Sequence, residues 1–428
     1  MTDLEGLRVV EFSIAWAGPM VGRWLADYGA DVVKIEHPTS RGLSVTAPSD
    51  EAPEPWVWGE LPVPALRNGI YPDNDPGEHW WNRIGHWNKM NRGKRSLCLD
   101  VKGHGGRQVL EELVRRADVV VNNYSPRGVL SLGIEHETLR RINPKIVTVA
   151  MSGFGATGPG ANQVSWGPIL DAGSGLASTT GYPDSGPYKQ GLAFPDAVGG
   201  LHGTFALLGA LWERDLTGEA VHVDLSQLET LLALGGDLLL AASASGEDPP
   251  RRANRSACDD VQGVYRCAGH DQWLAISITD DDAWAALVAV LDRAELRAAA
   301  FVNNAGRVAA HDTIDAEIAA WAAVQDKHHA MAALQNVGVA AAVVSTNRDL
   351  VEDPHLADRG FFVTLQNADC RPLVFPGFPV HHVETPTLLR PAPGLGADNE
   401  SILAQLGYDA AAREELARAG TIATRPPT

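Results

Sequence analysis

Short β-branched strands alternate with amphipathic helical stretches from the start of the chain, and this alternation constrains the fold more than any other feature. Residues 7–12 (LRVVEF) and 32–35 (VVKI) read as strands, and residues 20–28 between them carry helical spacing closed by Gly29. This predicts a β-α-β unit. A second unit is predicted from residues 96–99 as strand, 106–116 as helix with Val109, Leu110, Leu113 and Val114 on one face, and 119–121 as strand. Residues 145–150 (KIVTVA) add another strand after 139–142. Parallel strands joined by helices need cover on both faces, so the expected architecture is α/β, with a Rossmann-like large domain on a parallel sheet.

With 428 residues the chain has room for a second domain. Residues 1–225 are expected to form the large domain. Residues 226–256 read as a linker helix and connection, ending in the polar SASGEDPPRRANRS. Residues 257–350 read as a smaller α+β domain with antiparallel strands at 263–267 and 273–278 and helices near 283–291 and 315–323, followed by a C-terminal segment, 351–428. Residues 39–92 contain Trp56, Trp58, Trp80, Trp81 and Trp87 and exceed an ordinary connection, which points to a functional loop or one ordered against a surface.

Charge and composition remove several function classes. Lys and Arg number 35 against 53 Asp and Glu, a formal charge of -18, which repels nucleic acid and anionic membranes at long range. No stretch approaches the roughly 18 apolar residues of a membrane span. The first residues lack a basic, then apolar, signal pattern, and the four cysteines form no C-x-x-C pair, so a cytoplasmic location is expected. The fourteen histidines are scattered, and the doublets His328-His329 and His381-His382 read as lacking carboxylate or Cys partners at ligand spacing, so no metal is expected. Gly153 to Gly158 fits G-x-G-x-x-G after a strand, yet Pro159-Gly160-Ala161-Asn162 is a turn and not a helix, which weakens an NAD-binding oxidoreductase reading. A basic cluster remains: Arg92, Lys94, Arg95, Lys102 and Arg127, at or near predicted strand ends, where open α/β sheets bind ligands. A phosphate-bearing ligand with an adenine-sized ring would suit it, with a solvated basic edge as the plain alternative.

The residues around these positions resemble the class III CoA-transferases, the formyl-CoA and carnitine CoA-transferase family that also includes α-methylacyl-CoA racemases. The likeness runs through Leu7 to Phe12, Ala17-Gly18-Pro19, Gly29 to Pro38, Lys94-Arg95-Ser96 and Leu99-Asp100. It continues through Asn123-Tyr124, Ser152 to Gly155 with Gly158-Pro159, Ser174-Gly175-Leu176, Asp196 with Gly199, and Asp224 to Glu229. Beyond Asn254-Arg255 it includes Gly263 to Gly269, Asp353-Pro354, Arg359 to Phe362, Pro393 to Gly396 and Asn399-Glu400, nearly the whole chain. The resemblance implies a large domain completed by the returning C-terminal segment, a small domain, and two subunits interlocked like chain links. It implies coenzyme A, as an acyl-CoA substrate, held by His37, Leu99, Lys102, Asn123 and Tyr124, with His37 standing where formyl-CoA enzymes carry an arginine.

The resemblance also implies exchange of CoA between an acyl-CoA thioester and a carboxylic acid through an aspartate nucleophile, which needs no metal. That aspartate lies seven residues before the Ser-Gly pair, and here the position is Gly167. If Pro168 opens a helix, Asp171 lies about one turn from Gly167 on the same face, and Asp171 is the expected replacement nucleophile. Asp196 and Glu229 read as buried, paired structural carboxylates. The racemase branch needs a Gly-His-Asp sequence that here reads Ser165-Trp166-Gly167, and Trp16 stands where formyl-CoA enzymes have a glutamine. The expected function is CoA transfer by a homodimer. The other readings are a CoA-binding subunit without its own nucleophile in a heteromer, an acyl-CoA racemase, and an NAD-binding oxidoreductase.

Overall fold

The computed structural model describes residues 3–38, 57–58, 61–62, 71, 75–191, 193–255, 261–380 and 389–426. The chain divides into two compact units, one of residues 1–176, 189–240 and 358–428 and a smaller one of residues 177–188 and 241–357.

The large unit is built on a six-stranded parallel sheet: β1 (Arg8–Phe12), β2 (Asp31–Glu36), β3 (Arg95–Cys98), β4 (Val119–Asn122), β5 (Val147–Ala150) and β6 (Val221–Asp224). Their order across the sheet is β3-β2-β1-β4-β5-β6, every neighbouring pair parallel, with Val10 level with Val33 on one side and Val120 on the other. The alternation read from the sequence therefore yields the expected parallel α/β layer. β6 was not foreseen: its four residues alternate with the exposed polar side chains of His222 and Asp224 at the sheet edge, so it lacks the apolar run of a central strand.

Successive side chains on each strand serve opposite layers. Val10, Phe12, Val33, Ile35, Leu97 and Val120 pack under α2 (Gly106–Arg116), under α3 (His136–Ile142) and under two C-terminal helices. Val9, Val32, Val119, Val121, Val147 and Val149 face α1 (Ala17–Asp27) and a long helix reaching Leu207 and Leu211. Each such side chain taken fully out of water contributes about 1.5–3 kcal/mol, which makes the two-faced sheet the stable core of this unit. At its edge, β3 is held by the C-terminal residues: the Ser96 and Cys98 amides donate to Asp398 and Asn399, and Leu99 bridges to Ile422.

The smaller unit contains an antiparallel sheet of β7 (Val261–Arg266), β8 (Trp273–Ile278) and β9 (Ala340–Val343) in the order β9-β8-β7, with its own core under helices that include Asp281–Leu291 and His311–Ala322. This is the α+β pattern read from the sequence. In the Trp-rich stretch, Trp87 packs with Tyr71, Ile84 and Ala392, while Trp56 lies outside the described residues, as do Cys258, His381 and His382.

Candidate active site

The strand order reverses between β1 and β4, since β1 leads outward to β2 on one side and β4 begins the other. Open α/β sheets leave a crevice beyond the carboxyl ends of the strands at such a reversal. A cavity of about 510 Å³ lies there, lined by Ile14 and Ala15 after β1, Asn123 and Tyr124 after β4, and Ser152 and Gly153 after β5. Arg127, Gly167, Asp196 and Gln227 complete the walls used below. The Gly153 to Gly158 stretch thus contributes backbone to a cavity wall, and residues 159–166 form no helix after it.

The five positions assigned to CoA contact do not all converge. Asn123 and Tyr124 line the cavity, Asn123 fixed by paired hydrogen bonds of 2.9 Å to the backbone of Ile14. Burial, with help from Glu11 and Glu36, pushes the Tyr124 phenol up to about 12, so it stays a neutral hydroxyl. Lys102 reaches the rim, where its Nζ donates to Ser131 Oγ at 2.6 Å, and Ser131 lines the cavity. His37 is exposed with its Nε2 at 3.7 Å from Asp100 Oδ1, and the Leu99 side chain is buried in the core. The Leu99 amide donates to the Glu36 carbonyl at 2.7 Å, and this position does not line the cavity.

The basic cluster read as a ligand surface or solvated edge is mostly neither. Arg92 is buried and paired with Asp27 at 2.7 Å. Lys94 is buried with Nζ at 2.7 Å from Glu11 Oε2, 2.8 Å from the Pro19 carbonyl and 2.9 Å from Asn91 Oδ1. Lys34 holds Glu11 Oε1 at 3.0 Å. Burial alone would raise the Glu11 carboxyl, but the ammonium groups of Lys94 and Lys34 outweigh it and hold it below its ordinary value. A Cβ at Gly22 would stand 1.6 Å from Glu11 Oε2, so this glycine of α1 is what admits the ion pair. Arg95 pairs with Asp31 at 3.2 Å, and of the cluster Arg127 lines the cavity while Lys102 reaches its rim.

Gly167 opens α4 (Gly167–Gly173), with Pro168 in its first turn as the sequence suggests. Asp171 is buried on that helix; its Oδ2 accepts from the Gln190 amide at 2.6 Å and its Oδ1 has no hydrogen-bond partner among the described residues. It lines a second cavity of about 180 Å³ with Trp16, Trp166, Lys189, Ala193 and Asp196. Asp196 stands in the first turn of α5 (Phe194–Thr217) and lines both cavities. Its Oδ1 accepts from the Ala17 amide, the start of α1, at 3.3 Å, and its Oδ2 lies 2.6 Å from where a Cβ of residue 167 would be. Burial pushes its carboxyl up against the pull of that amide.

The reading of Asp196 and Glu229 as paired structural carboxylates is corrected. Asp196 has no ion pair among the described residues, and Glu229 is exposed in the first turn of a helix capped by Ser226. Asp196 escapes sequence reasoning because its neighbour Gly167 belongs to a different helix. Ser152 is a further addition: its Oγ is buried on the wall of the larger cavity with no hydrogen-bond partner among the described residues. Two alanines beside these groups, Ala15 and Ala193, hold left-handed φ values of 58° and 53°, a strain of about 1–3 kcal/mol each that concentrates at functional sites. Among the described residues no group of three or more His, Cys, Asp or Glu side chains could hold a metal ion, and no single helix is long and apolar enough to cross a membrane.

Comparison with known proteins points to one family. The family model described as CoA-transferase family III matches residues 4–399. A succinate–glutarate CoA-transferase of Agrobacterium fabrum is 30% identical over 411 residues, covering 94% of this chain and 95% of that protein. A probable CoA-transferase of Mycobacterium tuberculosis is 31% identical over 417 residues, but the chain spans only 48% of that longer protein. Among solved structures, a CAIB/BAIF family protein from Brucella suis superposes with a TM-score of 0.79 at 28% identity, over 95% of this chain and 99% of that one.

Proposed function

The chain belongs to CoA-transferase family III, and from that premise we propose that it moves coenzyme A from an acyl-CoA thioester to a carboxylic acid, with CoA lying across the crevice at the carboxyl ends of β1 and β4. The observation that carries this reading is that the two cavities share Ala15, Trp166, Gly167 and Asp196 in their walls: the larger offers Asn123, Tyr124, Arg127 and, at its rim, Lys102 to an adenine and phosphates, and the smaller adds Asp171 to the shared residues. A stacking aromatic with two cations fits such a ligand. Asp171 and Asp196, the two carboxylates of the smaller cavity, are the groups that could carry the transferred CoA.

The smaller cavity would take the acyl group. Its walls, Trp16 and Trp166, suit a chain larger than formyl, and Lys189, also on its wall, would meet a second carboxylate. We therefore favour a dicarboxylic acid of a few carbons, in keeping with the relative that acts on succinate and glutarate. The test is to supply succinyl-CoA, acetyl-CoA and benzoyl-CoA, each with succinate, glutarate, butyrate or benzoate, and to separate the CoA esters formed. New esters from dicarboxylates ahead of butyrate support the reading; no new ester from any pair rejects it.

Gly167 favours a second reading, a CoA-binding subunit that relies on a relative for its nucleophile; it expects binding of the thioesters without transfer by the isolated chain. We also read the active unit as a homodimer. One face of α5 leaves Leu201, Phe205, Leu208, Trp212 and Leu216 exposed, Phe205 by 80% and Trp212 by 70%, which is the kind of apolar stripe that an interlocked copy would cover. Sedimentation equilibrium tests it.

A further inference from the structure

We propose that Asp196, and not a residue of its own helix, supplies the nucleophile that Gly167 lacks: the carboxylate reaches from α5 into the space that a side chain at position 167 would occupy. The assignment rests on the transfer reading above.

Three observations carry it. First, a Cβ on Gly167 would meet Asp196 Oδ2 at 2.6 Å and Cγ at 3.8 Å, whereas no side-chain atom of Asp171 comes within 4 Å of that point. The vacated position is thus already filled, and by a carboxylate. Second, Asp196 is common to both cavities, while Asp171 lines only the smaller one and keeps one oxygen on the Gln190 amide. A thioester whose CoA lies along Asn123 and Tyr124 and whose acyl group enters toward Trp16 and Trp166 would pass Asp196, which lines both cavities. Third, the Ala17 amide at the start of α1 orients Asp196 by Oδ1 and leaves Oδ2 turned toward Gly167. The carboxylate is then anchored at one oxygen and, among the described residues, paired with no cation at the other.

The chemistry balances without an outside reagent. Oδ2 adds to the thioester carbonyl, the C–S bond breaks, and CoA departs as thiolate, leaving an aspartyl-acyl anhydride. The thiolate then adds to the aspartyl carbonyl, the C–O bond to the donor acid breaks, and that acid leaves as carboxylate. The acceptor carboxylate runs the two steps in reverse, taking CoA and restoring Asp196, with no net proton or redox change. The Ser152 hydroxyl, free of any partner among the described residues on the cavity wall, is a donor for the negative oxygen formed at each addition.

The sequence makes the test clean, because trypsin cuts after Lys145, Lys189 and Arg214 and so places Asp171 and Asp196 on different peptides, with Asp196 the one aspartate in residues 190–214. The full chain is incubated with the productive acyl-CoA of the panel, quenched with hydroxylamine and digested. A hydroxamate on Asp196 in the wild-type chain, lost in Asp196→Asn together with at least about a 10³-fold fall in transfer, supports the assignment. Asp171→Asn keeps the hydroxamate on Asp196, whatever it does to the rate through the wall of the smaller cavity. A hydroxamate on Asp171, or transfer with no adduct on either peptide, overturns Asp196 and leaves CoA transfer standing. No transfer and no adduct with any thioester overturns both. The wild-type adduct does not depend on whether the variant folds.

Discussion

Glu11 and Asp196 are both carboxylates drawn from water beside helix α1, and they sit in opposite electrostatic situations. Glu11 is fully enclosed and held by Lys34 at 3.0 Å and Lys94 at 2.7 Å. Asp196 has one backbone amide at 3.3 Å and a cavity on its other side. The first charge is neutralised within the scaffold, and its carboxyl is held below the usual value; the second is left electron-rich, with its carboxyl pushed up by burial. Pairing turns a buried charge into structure, and a carboxylate with no cation beside it among the described residues stays open to act as a reagent.

The sharpest way to break this contrast is Asp196→Asn, expected to lower transfer by at least about 10³-fold while costing only about 1 kcal/mol of stability through a weakened helix cap. A thermal melt beside the rate measurement decides it, and equal damage to both would make Asp196 structural like Glu11. The reverse experiment is Glu11→Gln, which leaves two buried ammonium groups undercompensated and should cost about 3–5 kcal/mol. Urea unfolding checks it; a loss below about 1 kcal/mol would mean that the lysines rehydrate.

Gly167→Ala sets a methyl 2.6 Å from Asp196 Oδ2. Displacing a reacting oxygen by a fraction of its own diameter should lower kcat by about 10- to 100-fold with KM for the acyl-CoA nearly unchanged, as steady-state kinetics would reveal. The pH profile sharpens the same point. Since the reactive form is the carboxylate and burial raises its pKa, kcat should fall with decreasing pH at values above the ordinary 3.8 of an aspartate. An acid limb at or below that value would place the nucleophile elsewhere. Smallest of all, Lys102→Ala should raise KM for CoA esters by about three- to tenfold, and less so at high salt, because the side chain sits exposed at the rim.

The layered core was legible because each strand and helix carries its own period. The helix over Gly106–Arg116 and the strand over Trp273–Ile278 have the bounds that their apolar spacing predicts. The edge strand Val221–Asp224 was not, since an edge needs no continuous apolar run. In the site, Asn123 and Tyr124 could be placed because they directly follow a strand whose carboxyl end must face the crevice. Arg92 and Lys94 misled for the same local reason: a run of cations near a strand end looks like a ligand surface, and only the acids of distant segments, Asp27 and Glu11, reveal them as buried pairs.

What the sequence by itself determined is the alternation of strands and helices, the parallel sheet that follows from it, and the glycine at position 167. Those are properties of neighbours along the chain, where periodicity and turn chemistry act over a few residues. Which carboxylate stands beside that glycine was decided by tertiary structure alone. Asp196 reaches the gap because α5 packs across the sheet face with its first turn against the starts of α1 and α4, an arrangement set by burial of whole helix faces and not by the spacing of any two residues.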